Sequence, residues 1–407
     1  MISVEEHLRR ILDTVQALAP SDVTLEQAQD CVLAEDVVSP LDLPGFDNSA
    51  MDGYAVVAAD VSGASEDSPV VLPVVGDLPA GSTERASLVA GQSIRIMTGA
   101  PMPDGADAVV PVEASDHGIV RVSLRAGAKP GQHVRRAGGD ITKGETVLEA
   151  DTVIGPAQVG LLAAVGRRRV RVHPKPRIVV ISTGTELVTD RLPGYGEIVD
   201  SNGPMLTACV VDAGAVGYRV GPLADDPHTL MEALTDQLVR ADAVITSGGV
   251  SAGAYDTVKE VLSRLGTVKF GKVAMQPGMP QGFGTIGEDA TPIFTLPGNP
   301  VSSFVSFEVF VRPALRKLAG HVGLFRRSEH AIVTKGWKAP AGKVQFARAV
   351  IGTDGEGRRT VELVGSQGSH VMGGLARANC LAVVPEEVTE VQQGALLRCI
   401  LLERGRR

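Results

Sequence analysis

The feature that most constrains the fold is a regular alternation of apolar runs and amphipathic segments between residues 177 and 320. The apolar runs RIVVIS, DAVITS and PIFTL are short and are typical of buried strands. Between them lie segments with a helical period, GPMLTACVVDAG and DDPHTLMEALTDQLV, the second with an Asp cap and a proline in its first turn. A long final helix is predicted over NPVSSFVSFEVFVRPALRKLAG. Strands that alternate with helices predict an α/β domain built on a parallel sheet.

Three loops of similar chemistry follow predicted strands: ISTGTEL, ITSGGVSAGAYD and TLPGNPVSS. In an open parallel sheet, the ligand crevice lies beyond the carboxyl ends of the strands. Gly, Ser, Thr and Asn there would offer many N–H groups and hydroxyls to an anion, especially where a loop opens a helix. We therefore predict an anion-binding cleft that includes Thr183, Gly184, Ser247, Gly248, Gly249, Val250, Ser251, Pro297, Gly298, Asn299, Pro300 and Ser302.

Ser251 admits two interpretations, because GVSAG at 249–253 also matches the G-x-S-x-G pattern of a serine-hydrolase nucleophile. In that arrangement the helix starts directly after the serine, whereas here the helical pattern starts near Tyr255. A hydrolase also needs a histidine further along the chain, and the candidates His321, His330 and His370 lie at a helix end or in the C-terminal region. The pattern favours an anion cradle over a nucleophile.

Carboxylates also cluster on these loops, at Glu186, Asp200, Asp225, Asp226 and Asp256. Asp225, Asp226 and Asp256 could instead cap helices or lie in their first turns. Acids beside an anion would repel it unless a hard cation lay between them, and Mg²⁺ has the required preference for oxygen ligands. We predict a Mg²⁺ site formed by Glu186, Asp225 and Asp256. Lys272 and the pair Arg135–Arg136 are candidate anion contacts or ordinary surface charges.

The rest of the chain sets limits on location and partners. Ser3 to Leu18 is predicted as a helix with a Ser3–Glu6 capping box, residues 40–150 as β-rich, and residues from 322 onwards as a small barrel or sandwich. The net charge of −8 argues against a nucleic-acid partner, and no apolar run is long enough to span a membrane. Widely spaced cysteines and the absence of a signal-peptide pattern favour a cytoplasmic protein.

Eight segments in order resemble one family. They are SPLDLPGFDNSAMDGYAV, IRIMTGAPMPDGADAVV, GQHVRRAGGDITKGE, STGTEL, DSNGPML, DDPHTL, SGGVSAGAYD and LPGNPVSS. Together they are similar to the molybdopterin molybdenumtransferases, the family of MoeA and the gephyrin E domain. The resemblance covers essentially the whole chain, so it is far more specific than a single glycine pattern.

This resemblance implies a multidomain α/β and β protein that forms a homodimer. Its parts would be an N-terminal linker and dimerisation domain (1–45 and 140–175), an inserted β-rich lobe (46–139), a three-layer α/β molybdopterin-binding domain (176–321) and a small C-terminal β-barrel (322–407). The implied reaction joins molybdate to adenylylated molybdopterin with Mg²⁺ and releases AMP. Further site residues implied by the family are Asp200, Ser201 and Asn202 at the pterin, Lys272 in catalysis, and Asp52, Thr98 and Asp140, which would reach the cleft from the other subunit.

One segment departs from the family pattern. The family often has two lysines facing molybdate in the loop after Lys272, where this chain has Gln276 and Met279. Pro280, Ser302, Arg348 and Ser369 still match the implied molybdate site, so the departure bears on molybdate affinity alone. An adenylyltransferase of the same pathway and molybdoenzyme acceptors are expected partners. Alternative functions are molybdopterin adenylylation or a non-catalytic scaffold of the gephyrin type.

Overall fold

The computed structural model describes residues 1–249, 257–264 and 267–402 and divides into two compact units. The larger unit comprises Met1–Asp22, Asp30–Ala34 and Arg171–Arg407, and the smaller unit comprises Val23–Gln29 and Glu35–Val170. Within the described ranges, no helix is long and apolar enough to cross a membrane. The four domain boundaries expected from the sequence stay a prediction.

The larger unit is organised by a six-stranded sheet, called the central sheet below. Its strand order is Val216–Leu223, Arg177–Thr183, Ala243–Ser247, Thr291–Leu296, Pro280–Ile286 and Lys269–Lys272. The first four strands are parallel, whereas the last two pair antiparallel. The predicted strand–helix alternation is thus confirmed, and the structure adds an antiparallel edge to the expected parallel sheet.

Helices cover both faces of the central sheet, which gives the predicted three layers. Along one strand, Ile178 and Val180 belong to the apolar core on one face, and Val179 and Ile181 belong to the core on the other. This alternation follows from the two-residue period of a strand whose two faces are both buried. The helical elements of the larger unit are Val4–Thr14, Asn202–Asp212, Pro227–Leu238, Thr257–Arg264, Pro300–Ser306, the π-helical turn Phe307–Val311, Arg312–Leu318 and Met372–Arg377.

The first helix starts where the sequence predicts and ends earlier. The Ser3 hydroxyl accepts a hydrogen bond from the Glu6 N–H at 3.0 Å, as an N-cap should. The helix spans Val4–Thr14, whereas periodicity predicts that it continues to Leu18. The Leu18 N–H instead donates to the Leu318 carbonyl at 2.8 Å. A tertiary contact with the helix Arg312–Leu318 therefore replaces the last helical turn.

The predicted C-terminal barrel is confirmed. Five strands form it: Ser328–Val333, Val344–Thr353, Arg359–Leu363, Cys380–Val384 and Leu396–Leu401. Pairing of Val344–Thr353 with Cys380–Val384 closes the barrel. The short strand Met275–Gln276, which leaves the edge of the central sheet, adds in parallel to Val344–Thr353. The segment before Pro280 is therefore held by the barrel.

The smaller unit contains the predicted β-rich region. Its five-stranded sheet has the order Ala108–Pro111, Gly53–Val56, Ser93–Ile96, Val70–Leu78 and Arg121–Leu124. Tyr54 lies fully buried in its core, and its hydroxyl donates to the Gly118 carbonyl at 2.9 Å. Short elements complete the chain: Ser21–Thr24, Leu25–Ala28, Val32–Leu33, Val37–Val38, Asn48–Ser49, Ala58–Val61, Val112–Ala114, Val134–Arg135, Thr146–Leu148, Pro156–Ala164, Arg169–His173, Leu187–Val188, Ile198–Val199, Trp337–Lys338 and Glu390–Val391.

Candidate active-site cleft

A cleft of about 450 Å³ lies at the carboxyl ends of the parallel strands of the central sheet, and is called the strand-end cleft below. The strand register aligns Ser182 with Ser247 and Ser247 with Leu296, so three loops leave the sheet at one level. The residues predicted from the sequence that line this cleft are Thr183, Gly184, Glu186, Asp200, Ser201, Asn202, Asp225, Ser247, Gly248, Gly249, Pro280, Pro297, Gly298, Asn299 and Pro300. The three loops therefore converge as the parallel-sheet rule predicts.

Asn202 joins the parts of the strand-end cleft to one another. Its amide nitrogen donates to the Ser247 hydroxyl at 2.8 Å and to the Gly298 carbonyl at 2.6 Å. The Ser303 hydroxyl, one helical turn further on, donates to the Pro297 carbonyl and holds the same loop from behind. One amide side chain thus fixes three chain segments that are distant in sequence.

Two glycines let the chain turn sharply after the strand Ala243–Ser247. Gly248 has φ +104° and Gly249 has φ +64°, conformations that favour glycine. A Cβ at Gly248 would lie 2.6 Å from the Thr183 carbonyl oxygen, and one at Gly249 would lie 2.7 Å from the Val258 side chain. The turn therefore requires glycine at both positions, and it brings backbone groups to the cleft.

Asp200 stands at the start of the helix Asn202–Asp212 and is only 4% exposed. Its Oδ1 accepts from the Ser182 hydroxyl at 3.1 Å and from the Gly203 N–H at 2.9 Å. Among the described residues, its Oδ2 and the Asn202 Oδ1 are buried and have no hydrogen-bond partner. Because buried acceptors normally find donors, these two oxygens mark a place where a ligand donor or a cation fits.

The charges in the cleft are all acidic. Glu186, Asp200 and Asp225 line it, and no Lys, Arg or His occurs among its described lining residues. Asp225 is held by the Thr185 backbone N–H, which donates to its Oδ2 at 3.2 Å. A Cβ at Gly184 would lie 2.8 Å from the Glu186 carboxylate, so that carboxylate folds over the first loop. An anionic ligand would need backbone donors and a cation here.

Three predicted residues, Val250, Ser251 and Asp256, lie outside the described ranges. Within those ranges, no group of three His, Cys, Asp or Glu side chains is arranged to hold a metal ion. The nucleophile interpretation of Ser251 receives no histidine from the described part of the cleft lining. The roles of these three residues stay predictions.

Some lining residues were not singled out from the sequence. These are Ser182, Leu187, Ile198 and Val199. Ile198 and Val199 are 55% and 49% exposed, which is unusual for large apolar side chains that directly precede a buried acid. An exposed apolar pair has no signature in a single sequence, whereas Ser182 lies inside the first loop motif and could have been included.

Three family models match this chain in succession. Residues 2–166 match the MoeA N-terminal region (domain I and II), residues 179–317 the probable molybdopterin binding domain, and residues 330–402 the MoeA C-terminal region (domain IV). The chain is 48% identical over 405 residues to molybdopterin molybdenumtransferase 2 of Mycobacterium tuberculosis, covering 98% of this chain and 99% of that protein. The chain belongs to the molybdopterin molybdenumtransferase (MoeA) family.

Other members of the MoeA family agree. Molybdopterin molybdenumtransferase 1 of Mycobacterium tuberculosis is 42% identical over 417 residues, covering 98% of each chain. The crystal structure of the molybdopterin biosynthesis MoeA protein of Pyrococcus horikoshii superimposes with a TM-score of 0.80 at 31% identity, covering 99% of each chain. The family, the multidomain fold, the transferase class and the place in molybdenum cofactor biosynthesis, all expected from the sequence, are confirmed.

Of the four residues expected at molybdate from the MoeA resemblance, one lines the strand-end cleft and the other three do not. Pro280 lines the strand-end cleft. Ser302 is buried in the first turn of the helix Pro300–Ser306, and the Ser369 carbonyl accepts from the Val301 N–H of that turn at 3.1 Å. That N–H is therefore occupied, although the sequence predicts unpaired donors at this helix start.

Arg348 is 1% exposed and lies on the barrel strand Val344–Thr353. Its guanidinium donates to the carbonyls of Ser366 at 2.6 Å, Gly368 at 2.9 Å and Val371 at 3.2 Å. Burial lowers the pKa of the guanidinium. These bonds hold the loop that carries Ser369 against the cleft helix, which is a positioning contact.

The segment that departs from the family pattern is electrically neutral. The Gln276 Oε1 accepts from the buried Gln345 amide at 3.3 Å, and the Gln345 Oε1 accepts from the Trp337 indole N–H at 3.0 Å. Met279 is half-buried. Lys272 is paired with Pro280 in the sheet, but its side chain lines a different cleft. No lysine thus stands in for the two that the family pattern places here among the described residues.

Residues expected from the other subunit lie in the smaller unit. The Asp52 Oδ1 accepts from the Thr98 N–H at 2.7 Å and from its hydroxyl at 2.8 Å. These bonds, the backbone one first, hold the pKa of Asp52 below its usual value. Asp140 is exposed, and its N–H donates to the Leu43 carbonyl at 3.0 Å. Arg136 forms an ion pair with Asp47 of the same unit at 2.5 Å.

Proposed function

We propose that this chain catalyses Mg²⁺-dependent insertion of molybdate into adenylylated molybdopterin, with release of AMP. The observation that carries this proposal is the strand-end cleft, which combines three glycine-containing loops with acidic side chains and no basic ones among its described residues. A phosphoanhydride fits such a cleft when backbone N–H groups and a divalent cation meet its charge.

The residues of this chain would bind and orient the pterin phosphate. The Gly248 N–H donates to the Leu296 carbonyl at 3.2 Å, so the N–H groups that would meet the phosphate are those after Gly248 in this loop, with Ser251 as a cradle residue. Asn202 keeps this loop and the Pro297–Gly298–Asn299 loop at a fixed spacing. The unpartnered Asp200 Oδ2 and Asn202 Oδ1 are acceptors for donors on the ligand. Preset loops of this kind supply orientation rather than chemical groups.

Glu186, Asp225 and Asp256 would hold the Mg²⁺ ion. Two of them lie in the cleft, and Asp256 directly precedes the helix Thr257–Arg264 that leaves it. Bound there, the ion would neutralise negative charge that develops on the phosphoanhydride as it is cleaved.

Molybdate is the second substrate, and its site would adjoin Pro280, Ser302 and Ser369. Arg348 takes part by fixing the loop of Ser369, since its guanidinium donates to three carbonyls of that loop. Because Gln276 and Met279 bring no charge, hydroxyl and backbone groups would carry most of the anion binding, and Lys272 would assist only by turning from its present cleft.

The proposed working form is a cytoplasmic homodimer. In it, Asp52, Thr98 and Asp140 of one copy would complete the cleft of the other. The exposed Asp52–Thr98 pair supports this, because a carboxylate held by two hydrogen bonds at a surface suits a contact with another molecule. An adenylyltransferase that makes the substrate and molybdoenzymes that accept the product are its expected partners.

The proposal is tested by incubating the purified protein with adenylylated molybdopterin, Mg²⁺ and molybdate. Stoichiometric AMP and a cofactor that activates an apo-molybdoenzyme are the expected products, and both should require Mg²⁺. Omission of molybdate separates insertion from simple hydrolysis. Formation of adenylylated molybdopterin from ATP and molybdopterin would instead identify an adenylyltransferase, and no turnover of either kind would leave the scaffold alternative.

A further inference from the structure

The larger unit has a second cleft, of about 1030 Å³, that shares no described lining residue with the strand-end cleft. It lies between the helix Val4–Thr14 and the antiparallel edge of the central sheet, and is called the sheet-face cleft below. It has more than twice the volume of the strand-end cleft, 1030 against 450 Å³. Such a volume suits a small-molecule ligand.

The floor of the sheet-face cleft follows from the strand register. Lys269 is paired with Phe283 and Gly271 with Gln281, and residues directly opposite each other share one face of a sheet. These four residues, all lining the cleft, therefore form one surface. A sheet face under a helix is normally apolar, but this one carries a cation and a buried amide, Gln281 being 3% exposed.

The wall is one side of the helix Val4–Thr14, where His7, Arg10, Asp13 and Thr14 line the cleft. His7 is 6% exposed, packs edge-on against Phe310, and makes no side-chain hydrogen bond within the described part of the chain. Burial, with a smaller contribution from Arg10, lowers the pKa of His7 to about 4. The ring is therefore neutral at pH 7 and offers the cleft one donor and one acceptor.

Positive charge exceeds negative charge in this lining. Lys269, Lys272 and Arg10 line the cleft, against Asp13 as its single described acid. Arg10 bonds to Glu6 outside it, whereas neither lysine has an acidic partner in the described ranges. Thr267 and Thr285 also line the cleft, whereas the Thr14 hydroxyl donates to the Arg10 carbonyl at 2.9 Å. The Gln281 amide is not free for a ligand, because its Nε2 donates to the Gly278 carbonyl and to the Ser306 hydroxyl, each at 2.6 Å. Cations with nearby hydroxyl donors are groups that bind a phosphate.

Gly271 suggests how a ligand approaches. It is the third residue of its strand, and a Cβ there would meet no atom within 4 Å, so neither packing nor a left-handed backbone requires glycine. A glycine inside a strand often marks close approach of a ligand. We propose that the sheet-face cleft binds a small phosphate-bearing anion, held by Lys269 and Arg10 over the Gly271 backbone. This site is independent of the transferase reaction proposed above.

Inorganic pyrophosphate is a suitable probe, with binding measured by isothermal titration calorimetry at low ionic strength. Gly271→Phe fills the cleft, and Lys269→Gln removes one exposed cation. Lys338→Gln, at an exposed lysine of the strand Trp337–Lys338, is the matched control. We expect no detectable binding to Gly271→Phe, a dissociation constant about tenfold higher for Lys269→Gln, and no change for Lys338→Gln, since one charge contact of about 1.4 kcal/mol is a factor of ten.

The strand-end cleft could also bind pyrophosphate, so each titration is repeated in a Gly298→Val background, where a side chain projects towards Gly248. The same pattern of losses is expected there. Binding that survives Gly271→Phe, or that Lys269→Gln and Lys338→Gln weaken equally, would overturn the proposal. So would a wild type that binds no pyrophosphate, in which case the lysines only protect a sheet edge. Should circular dichroism show that Gly271→Phe does not fold, the comparison of Lys269→Gln with Lys338→Gln decides the proposal.

Discussion

The two clefts of the larger unit are built from different parts of the chain. The strand-end cleft is made by loops, with glycines at Gly248, Gly249 and Gly298 and with acidic side chains. The sheet-face cleft is made by side chains of a helix and two strands, with basic groups in excess. In the strand-end cleft, backbone conformation sets the binding geometry, so substitution of its glycines should weaken ligand binding most. In the sheet-face cleft, removal of individual charges should weaken ligand binding most.

The largest expected loss of activity comes from an acidic side chain proposed for the strand-end cleft, although backbone conformation sets most of the binding geometry there. Asp256→Asn keeps the side-chain shape and removes the charge of a proposed metal ligand, and a catalytic cation is worth several kcal/mol of charge stabilisation. We expect turnover to fall by about 10²-fold or more, while molybdopterin binding persists. AMP release measured against Mg²⁺ concentration checks this.

The control for that experiment is Asp289→Asn, at an exposed acid on the turn before the strand Thr291–Leu296. It should leave both turnover and Mg²⁺ dependence unchanged. An Asp256→Asn protein with wild-type rate and wild-type Mg²⁺ dependence would show that this residue does not hold the metal.

Gly248→Ala and Gly271→Ala compare the two clefts directly. At Gly248, φ is +104° and the new Cβ would lie 2.6 Å from a carbonyl oxygen, whereas at Gly271 the Cβ meets nothing. Backbone strain of this kind costs about 1–3 kcal/mol. Urea denaturation should therefore show a lower free energy of unfolding for Gly248→Ala only, with weaker pterin binding. Equal stabilities for the two variants would contradict a backbone-built cleft.

Charge can also be added where the family pattern has it. In a Gln276→Lys/Met279→Lys double variant, two cations would face the molybdate dianion, and one charge pair at 4 Å is worth about 4 kcal/mol before desolvation at an effective dielectric of ~20. If a third of that survives, the molybdate requirement should fall about tenfold. Titration of molybdate against cofactor formation in both proteins measures it. Coincident curves would mean that these positions do not face the anion.

The smallest effect is expected for Ser251→Ala. A cradle hydroxyl contributes about 0.5–1.5 kcal/mol, so activity should fall only about two- to tenfold. Thr183→Ala, another hydroxyl of the cleft lining, is the comparison. Complete loss of activity in a folded Ser251→Ala protein, with Thr183→Ala active, would restore the nucleophile interpretation.

Contiguous sequence patterns predicted the strand-end cleft well, because each loop directly follows a strong apolar run. The strand Pro280–Ile286 escaped prediction, since Gly282 and Gly284 interrupt its side-chain pattern. Its glycines are demanded by neighbours: a Cβ at Gly282 would lie 1.9 Å from the Thr295 hydroxyl, and one at Gly284 would lie 2.3 Å from the Thr267 carbonyl oxygen. The glycines of this strand are therefore required by tertiary contacts, which a local sequence pattern does not reveal.

The same limit applies to the other differences. The sheet-face cleft joins residues near position 10 with residues near position 270, and only the strand register brings them together. Arg348 matches the family motif, yet no sequence shows that its guanidinium turns towards three carbonyls. Motifs thus predict which residues meet when the fold is regular, but not where long side chains point.

The strand-end cleft is proposed to bind the pterin substrate. The most direct test measures the dissociation constant of molybdopterin for the wild type, for Gly298→Val and for Gly271→Phe, which place a side chain in one cleft each. We expect at least about tenfold weaker binding to Gly298→Val, which is ~1.4 kcal/mol, and wild-type binding to Gly271→Phe. Wild-type affinity in folded Gly298→Val, with binding lost in Gly271→Phe, would instead assign the pterin to the sheet-face cleft.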